Sequence, residues 1–164
     1  MKKQALQEYN QLINEWKNHP KVLEMKNYKH HGITRYDHCV RVSYHTFQVT
    51  KKLHLNYVSA TKAAMLHDFF TNEVEELGPM KRFRNHSKIA AKNAKKYFGL
   101  TPLEEDIIER HMFPITITPP KYLESWIVDI IDDIASIYER GTATKRRLQP
   151  VFHIIVFFLF TMIR

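Results

Sequence analysis

Apolar residues in this chain recur at spacings of three and four, and no convincing run alternates apolar with polar. The first spacing lines up one face of an α-helix; the second would mark a half-buried strand. An all-α fold is therefore expected. Residues 3–18 read as a first helix with Leu6, Tyr9, Leu12, Ile13 and Trp16 on one side, interrupted at His19-Pro20. Residues 21–28 continue irregularly or as a short helix, and HHGIT is a turn. Thr34 is expected to cap a long helix over 35–54, with Asp37 at its third position, where a carboxylate suits the helix N-terminus. Ser59 is expected to cap a shorter helix, 60–68. Residues 70–86, with Gly78-Pro79 inside them, read as a loop before a helix over 87–98 that stops at Gly99. Thr101-Pro102-Leu103-Glu104 is a capping box with proline at the first helical position. PITITPP reads as an extended connection, and residues 121–140 as a helix closed by Gly141, giving a bundle of six or seven helices.

At 164 residues the chain is long enough for one domain with a sizeable core. Its single cysteine, Cys39, excludes an internal disulfide, fits a reducing compartment and leaves too few thiols for a zinc ribbon or finger. The N-terminus, MKKQALQEYNQLINEW, has no apolar core followed by a cleavage site, so a cytoplasmic protein without a secretory leader is expected. The net charge of +8 favours anionic partners. Its densest patches are KRFRNHSK, residues 81–88, and TKRRLQ, residues 144–149. No helix-turn-helix, RNP-like or zinc signature accompanies them, which argues against nucleic acid as the main partner.

The stretch AAMLHDFF, residues 63–70, ends a small apolar run in a histidine and an aspartate. Burying an ionised carboxylate unpaired is very costly, so packing alone accounts for it poorly. His38 shares a helix face with Val42, His45 and Val49; His67 shares one with Ala60, Ala63 and Ala64; His111 follows Ile107 and Ile108 by one turn. Each alone reads as a core or surface histidine. Together with Asp68 they place metal-capable groups on three helices that must pack on one another. Imidazole and carboxylate suit zinc, iron, manganese or nickel better than calcium or magnesium. Helix 121–140 offers Asp129, Asp132 and Asp133 to complete such a site, and periodicity does not choose among them. Ile127, Ile130, Ile131, Ile134 and Ile137 are expected to bury one side of that helix, with Asp132, Ser125, Val128, Ala135 and Ser136 on the other, a side small and apolar enough to let the helix be enclosed all round.

The ordered set His38, His67-Asp68 and Asp132 resembles the HD-domain superfamily of metal-dependent phosphohydrolases. The likeness runs through HHGITRYDHCVRV, AAMLHDFF, NHSKIAAKNA, ERHMFPIT and SWIVDIIDDIAS, about residues 28–140, and is nearest to small bacterial HD-domain hydrolases. It implies a helical HD domain over residues 1–142, in which His38, His67, Asp68 and Asp132 hold one metal. His86, just before helix 87–98, and His111 match the binuclear members, where Asp68 would bridge to a second ion. Asp132 is chosen over its neighbours by this likeness, although the lysine that commonly follows it is here Asp133. The implied cofactor is one or two divalent transition-metal ions: iron, manganese, cobalt, nickel or zinc. The implied activity is hydrolysis of a nucleotide or another small phosphorylated metabolite by a metal-activated water, with Asp68 as the catalytic carboxylate. Arg35, one turn before His38, and Lys81, Arg82 and Arg84 are the expected substrate contacts. Two alternatives share the ligand set: a di-iron oxygenase of HD type, and a non-catalytic module that binds metal or nucleotide.

Beyond residue 143 the chain turns basic and then apolar. VFHIIVFFLFTMI, residues 151–163, is shorter than the roughly 20 residues a membrane span needs. It fits a last helix packed on the domain, a contact with a second copy, or a segment lying at a membrane surface.

Overall fold

Helix is the rule along the chain, as its periodicity demands. The computed structural model describes residues 2–30, 32–71 and 79–144. The basic and apolar tail from residue 145 onward lies outside the described residues. The elements are α1 (Lys2–Leu12), α2 (Asn14–Lys17), α3 (Pro20–Leu23), a 3-10 turn (Glu24–Asn27), strands β1 (Lys29–His30) and β2 (Ile33–Thr34), α4 (Arg35–Lys52), α5 (Tyr57–Leu66), α6 (Pro79–Phe98), α7 (Pro102–Arg110) and α8 (Leu123–Thr144). The two strands form one short antiparallel ladder, Lys29 opposite Thr34 and His30 opposite Ile33. Gly32 reverses the chain between them at φ 94, a conformation that favours glycine. Among the described residues no helix is long and apolar enough to cross a membrane.

Helix α4 is the axis of the molecule. Thr34 caps it, accepting the Asp37 amide while its hydroxyl donates to the Asp37 carboxylate at 2.6 Å. Its buried face carries His38, Cys39, Val42, Ser43, Thr46, Phe47 and Thr50. Helix α5 lies along that face, presenting Ala60, Ala63 and Ala64, all fully buried. These small side chains let the two backbones approach closely. Helix α8 flanks α4, and α7 packs on α5, α6 and α8. At the other end of α4, Phe47 joins Tyr9 and Ile13 of the N-terminal region in a second apolar cluster. The Tyr9 hydroxyl shares a 2.6 Å hydrogen bond with that of Ser43.

Several boundaries differ from expectation, each for a local reason. The cap of α5 is Asn56, whose side chain accepts the Ser59 amide, so the helix starts three residues earlier than a Ser59 cap would allow. Helix α6 begins at Pro79 and absorbs much of the expected loop 70–86, because proline suits the first helical position. Residues 72–78 lie outside the described residues. Helix α8 runs through Gly141 to Thr144, since glycine weakens a helix without obliging it to stop. PITITPP follows a series of turns and bends instead of an extended path. Buried Asp106 holds its far end by accepting from the Lys121 amide at 3.0 Å and the Ser125 hydroxyl at 2.7 Å.

The largest correction concerns α8. Its isoleucines divide: Ile131 is buried in the core and Ile127 packs against it, whereas Ile130 is 45% and Ile137 68% exposed. The small-residue side, Ser125, Val128, Asp132 and Ala135, faces the core. Small side chains bring α8 close enough to α4 for Asp132 to meet His38.

Candidate metal centre

Four histidines and two aspartates converge in the interior. His38 comes from the second turn of α4, and His86 from the middle of α6. His67 and His111 are the C-cap residues of α5 and α7. A helix ends with backbone carbonyls that lack an intrahelical partner. Each capping histidine supplies one, donating from Nδ1 to the carbonyl three residues back: Ala64 for His67 and Ile108 for His111, both at 2.8 Å. That bond turns Nε2 into the cluster and, whenever the ring is neutral, leaves its lone pair facing there. Asp68 follows His67 as the chain leaves α5. Asp132 comes from the core side of α8.

The distances make one continuous group. Asp132 Oδ1 lies 2.8 Å from His38 Nε2 and 3.6 Å from His67 Nε2. Asp68 Oδ1 lies 3.5 Å from His86 Nε2 and 3.8 Å from His111 Nε2. The Nε2 atoms of His86 and His111 are 3.2 Å apart. Three overlapping sets each offer ligand atoms within 4.8 Å of one another: His38, His67 and Asp68; His67, His111 and Asp132; Asp68, His86 and His111. The six residues named from sequence are thus all present and all buried. His111 stands nearer both halves than expected, since it joins His67 and Asp132 as well as His86.

Glu139 belongs to the same construction and was not foreseen. Fully buried on α8, it accepts from His38 Nδ1 at 2.8 Å and from Arg41 at 2.8 Å through its other oxygen. Its spacing was the available signal, for it lies two turns after Asp132 on the same face.

Proton affinities reflect the crowding. Burial works against charge on His38, but Asp132 and Glu139, bonded to its two nitrogens, outweigh it and push its pKa up to about 10. Burial likewise opposes charge on Asp132, and His67 and His38 more than offset this, holding it well below the usual carboxylate range. His111 goes the other way, down to about 4, because it is buried and faces two other imidazoles. Beside the cluster, burial and neighbouring Asp133 raise Asp129 to about 7 while it accepts the Phe113 amide.

The donor set fits a transition-metal ion. His67 Nε2 is buried without a hydrogen-bond partner, which is costly for a polar atom unless something else satisfies it. Imidazole nitrogen with carboxylate oxygen is borderline-soft chemistry, and the tethered Nδ1 atoms match the outer bonds that metal-binding histidines make.

The four residues expected to meet substrate are placed differently. Arg35, in the first turn of α4, is 6% exposed and donates to the Phe70 carbonyl at 2.8 Å. Lys81 is exposed in the first turn of α6, and Arg82 and Arg84 follow it along the same helix. The side chains of Arg82 and Arg84 lie outside the described residues.

A family model of the HD domain matches residues 35–137, well over half of the chain. The chain belongs to the HD-domain family, a superfamily composed mostly of metal-dependent hydrolases. No curated protein and no solved structure matches it.

Proposed function

We propose that this protein is a metal-dependent phosphohydrolase acting on a nucleotide or another small phosphorylated metabolite. The observation that carries the reading is the buried convergence of His38, His67, Asp68, His86, His111 and Asp132 from separate helices. His38, His67 and Asp132 would hold one divalent ion, His86 and His111 a second, with Asp68 between them. Such ions lower the pKa of a bound water and neutralise phosphoryl oxygens. The protein's own part is to fix the ligands. His67 and His111 are tethered to carbonyls, and His38 to Glu139, so each presents one defined nitrogen. Asp68 is the carboxylate set between both groups of imidazoles. Lys81, Arg82 and Arg84, within two turns before His86, add positive charge suited to an anionic substrate, as does the net charge of +8.

The test is elemental analysis of the purified protein paired with phosphate release from a panel of phosphomonoesters and phosphodiesters. Manganese, iron, cobalt or nickel is supplied without oxygen. Metal-dependent phosphate release is expected, and His67→Ala should lower turnover by one or more orders of magnitude. Full metal content and activity in His67→Ala would remove the site assignment. Iron with oxygen uptake and no phosphate release would instead indicate a di-iron oxygenase. Metal binding with no turnover across the panel would indicate a binding module.

A further inference from the structure

The turn carrying Asp68 leaves α5 and is gripped from two sides by side chains outside the ligand set. From α4, Arg35 donates to the Phe70 carbonyl at 2.8 Å and lays its guanidinium over the Phe70 ring, 3.8 Å from the centroid. The Tyr28 ring stands 5.3 Å from the same guanidinium. From α6, Asn93 donates to the Phe69 carbonyl at 3.1 Å. The two residues that follow Asp68 are thus held in succession by two different helices. Inside the turn the Phe70 amide donates to the Asp68 carbonyl at 2.8 Å, and the Phe69 amide to that of Leu66 at 3.0 Å. The Phe70 ring also rests on the His86 ring, centroids 5.5 Å apart. Arg35 therefore acts on Asp68 through the backbone and on His86 through the Phe70 ring.

We propose that Arg35 and Asn93 are positioning residues that set Asp68 against His86, so that ion binding at Asp68, His86 and His111 depends on them. This rests on the metal-binding reading above. Neither residue belongs to any of the groups whose atoms lie close enough together to hold an ion. The other half of the cluster is held by different means, the Ala64 carbonyl under His67 and Glu139 under His38. It shares Asp68 but has these further anchors, so it should lose less affinity when the clamp is lost. A turn outside a helix has no ladder to fix its carbonyls, and a buried guanidinium is a rigid, planar donor suited to that task. The stacking on Phe70 makes Arg35→Lys a non-conservative change for the same reason.

The experiment titrates the full chain with cobalt(II), following visible absorption and calorimetry, for wild type, Arg35→Met and Asn93→Ala, with a thermal melt of each. Two ions are expected in wild type. In both variants one of the two ions should lose about 10-fold or more in affinity, the range seen when outer partners of ligands are removed. The other, for which Asp68 is one ligand among several, should lose clearly less. Two ions at wild-type affinity in the variants would overturn the clamp while leaving the metal reading intact. Equal loss of both ions would overturn it too, by showing a general structural role. Fewer than two ions in wild type would overturn the binuclear reading, and the clamp with it.

Discussion

An imidazole that binds a cation through one nitrogen is held by what the other nitrogen donates to. His67 and His111 donate to backbone carbonyls, and no substitution can delete those acceptors. His38 donates to a side chain, Glu139, which can be changed. Glu139→Gln should keep an acceptor near His38 but remove the charge that Arg41 and His38 share. Metal affinity is expected to fall about 10- to 100-fold, read by competition with a chromophoric chelator; an unaltered affinity would take Glu139 out of the centre. The six converging residues were legible because their types and order carry metal chemistry. Glu139 was not, since a glutamate near a helix end reads as solvated and its partners lie 101 and 98 residues away. Asp129 invites a second measurement. Its folded pKa of about 7 lies above its ordinary 3.8, so between those values the folded state holds a proton that the unfolded chain has released. Its contribution to stability must then decline as pH rises through that window. Asp129→Asn should flatten this part of the profile and be relatively more stable than wild type at pH 8 than at pH 5, as judged by urea melts at both.

Helix α8 buries only part of its isoleucine side, Ile131 and in part Ile127, together with its small-residue side. Its isoleucines form the more apolar side, and apolarity alone would bury them. Yet α4 and α5 meet the cluster through small residues, and a helix that must deliver Asp132 to His38 has to come close. Contact distance decided the face, with Ser125, Val128 and Ala135 inward beside Ile131. Two substitutions separate the readings. Ala135→Leu, at a site 1% exposed, should overpack the α4–α8 contact, cost about 1–3 kcal/mol and weaken the ion held by Asp132. Ile137→Ser, at a site 68% exposed, should change stability by no more than about 0.5 kcal/mol and leave metal binding alone. Equal costs in chemical denaturation would return the isoleucine side to the core. The start of α6 was hidden by a related ambiguity. Gly78-Pro79 signals a turn, and proline at a first helical position is also how a helix begins. Hence His86 sits inside α6, where the helix fixes its direction, and not on a loop ahead of it.

Across the whole molecule the candidate ligands tie α4, the ends of α5 and α7, the middle of α6 and the core side of α8 to one point. The unfolded chain cannot gather them, because they are spread from residue 38 to residue 132. Whatever binds that point must therefore stabilise the fold by mass action. At a free metal concentration 100 times the dissociation constant the gain is about 2.7 kcal/mol, or roughly 5–10 °C in midpoint for a domain of this size. Thermal melts in manganese or cobalt should rise by that order, and a chelator should reverse the rise. Lowering the pH toward 5 should shrink it, because imidazoles must shed their protons to bind a cation. The same melt on His67→Ala provides the control. That variant lacks one nitrogen aimed at the cluster, so its midpoint should rise clearly less with metal than that of wild type, whatever its starting stability. A shift of equal size in His67→Ala and wild type would mean that the ion binds elsewhere, and the convergence of the six side chains would then need another explanation.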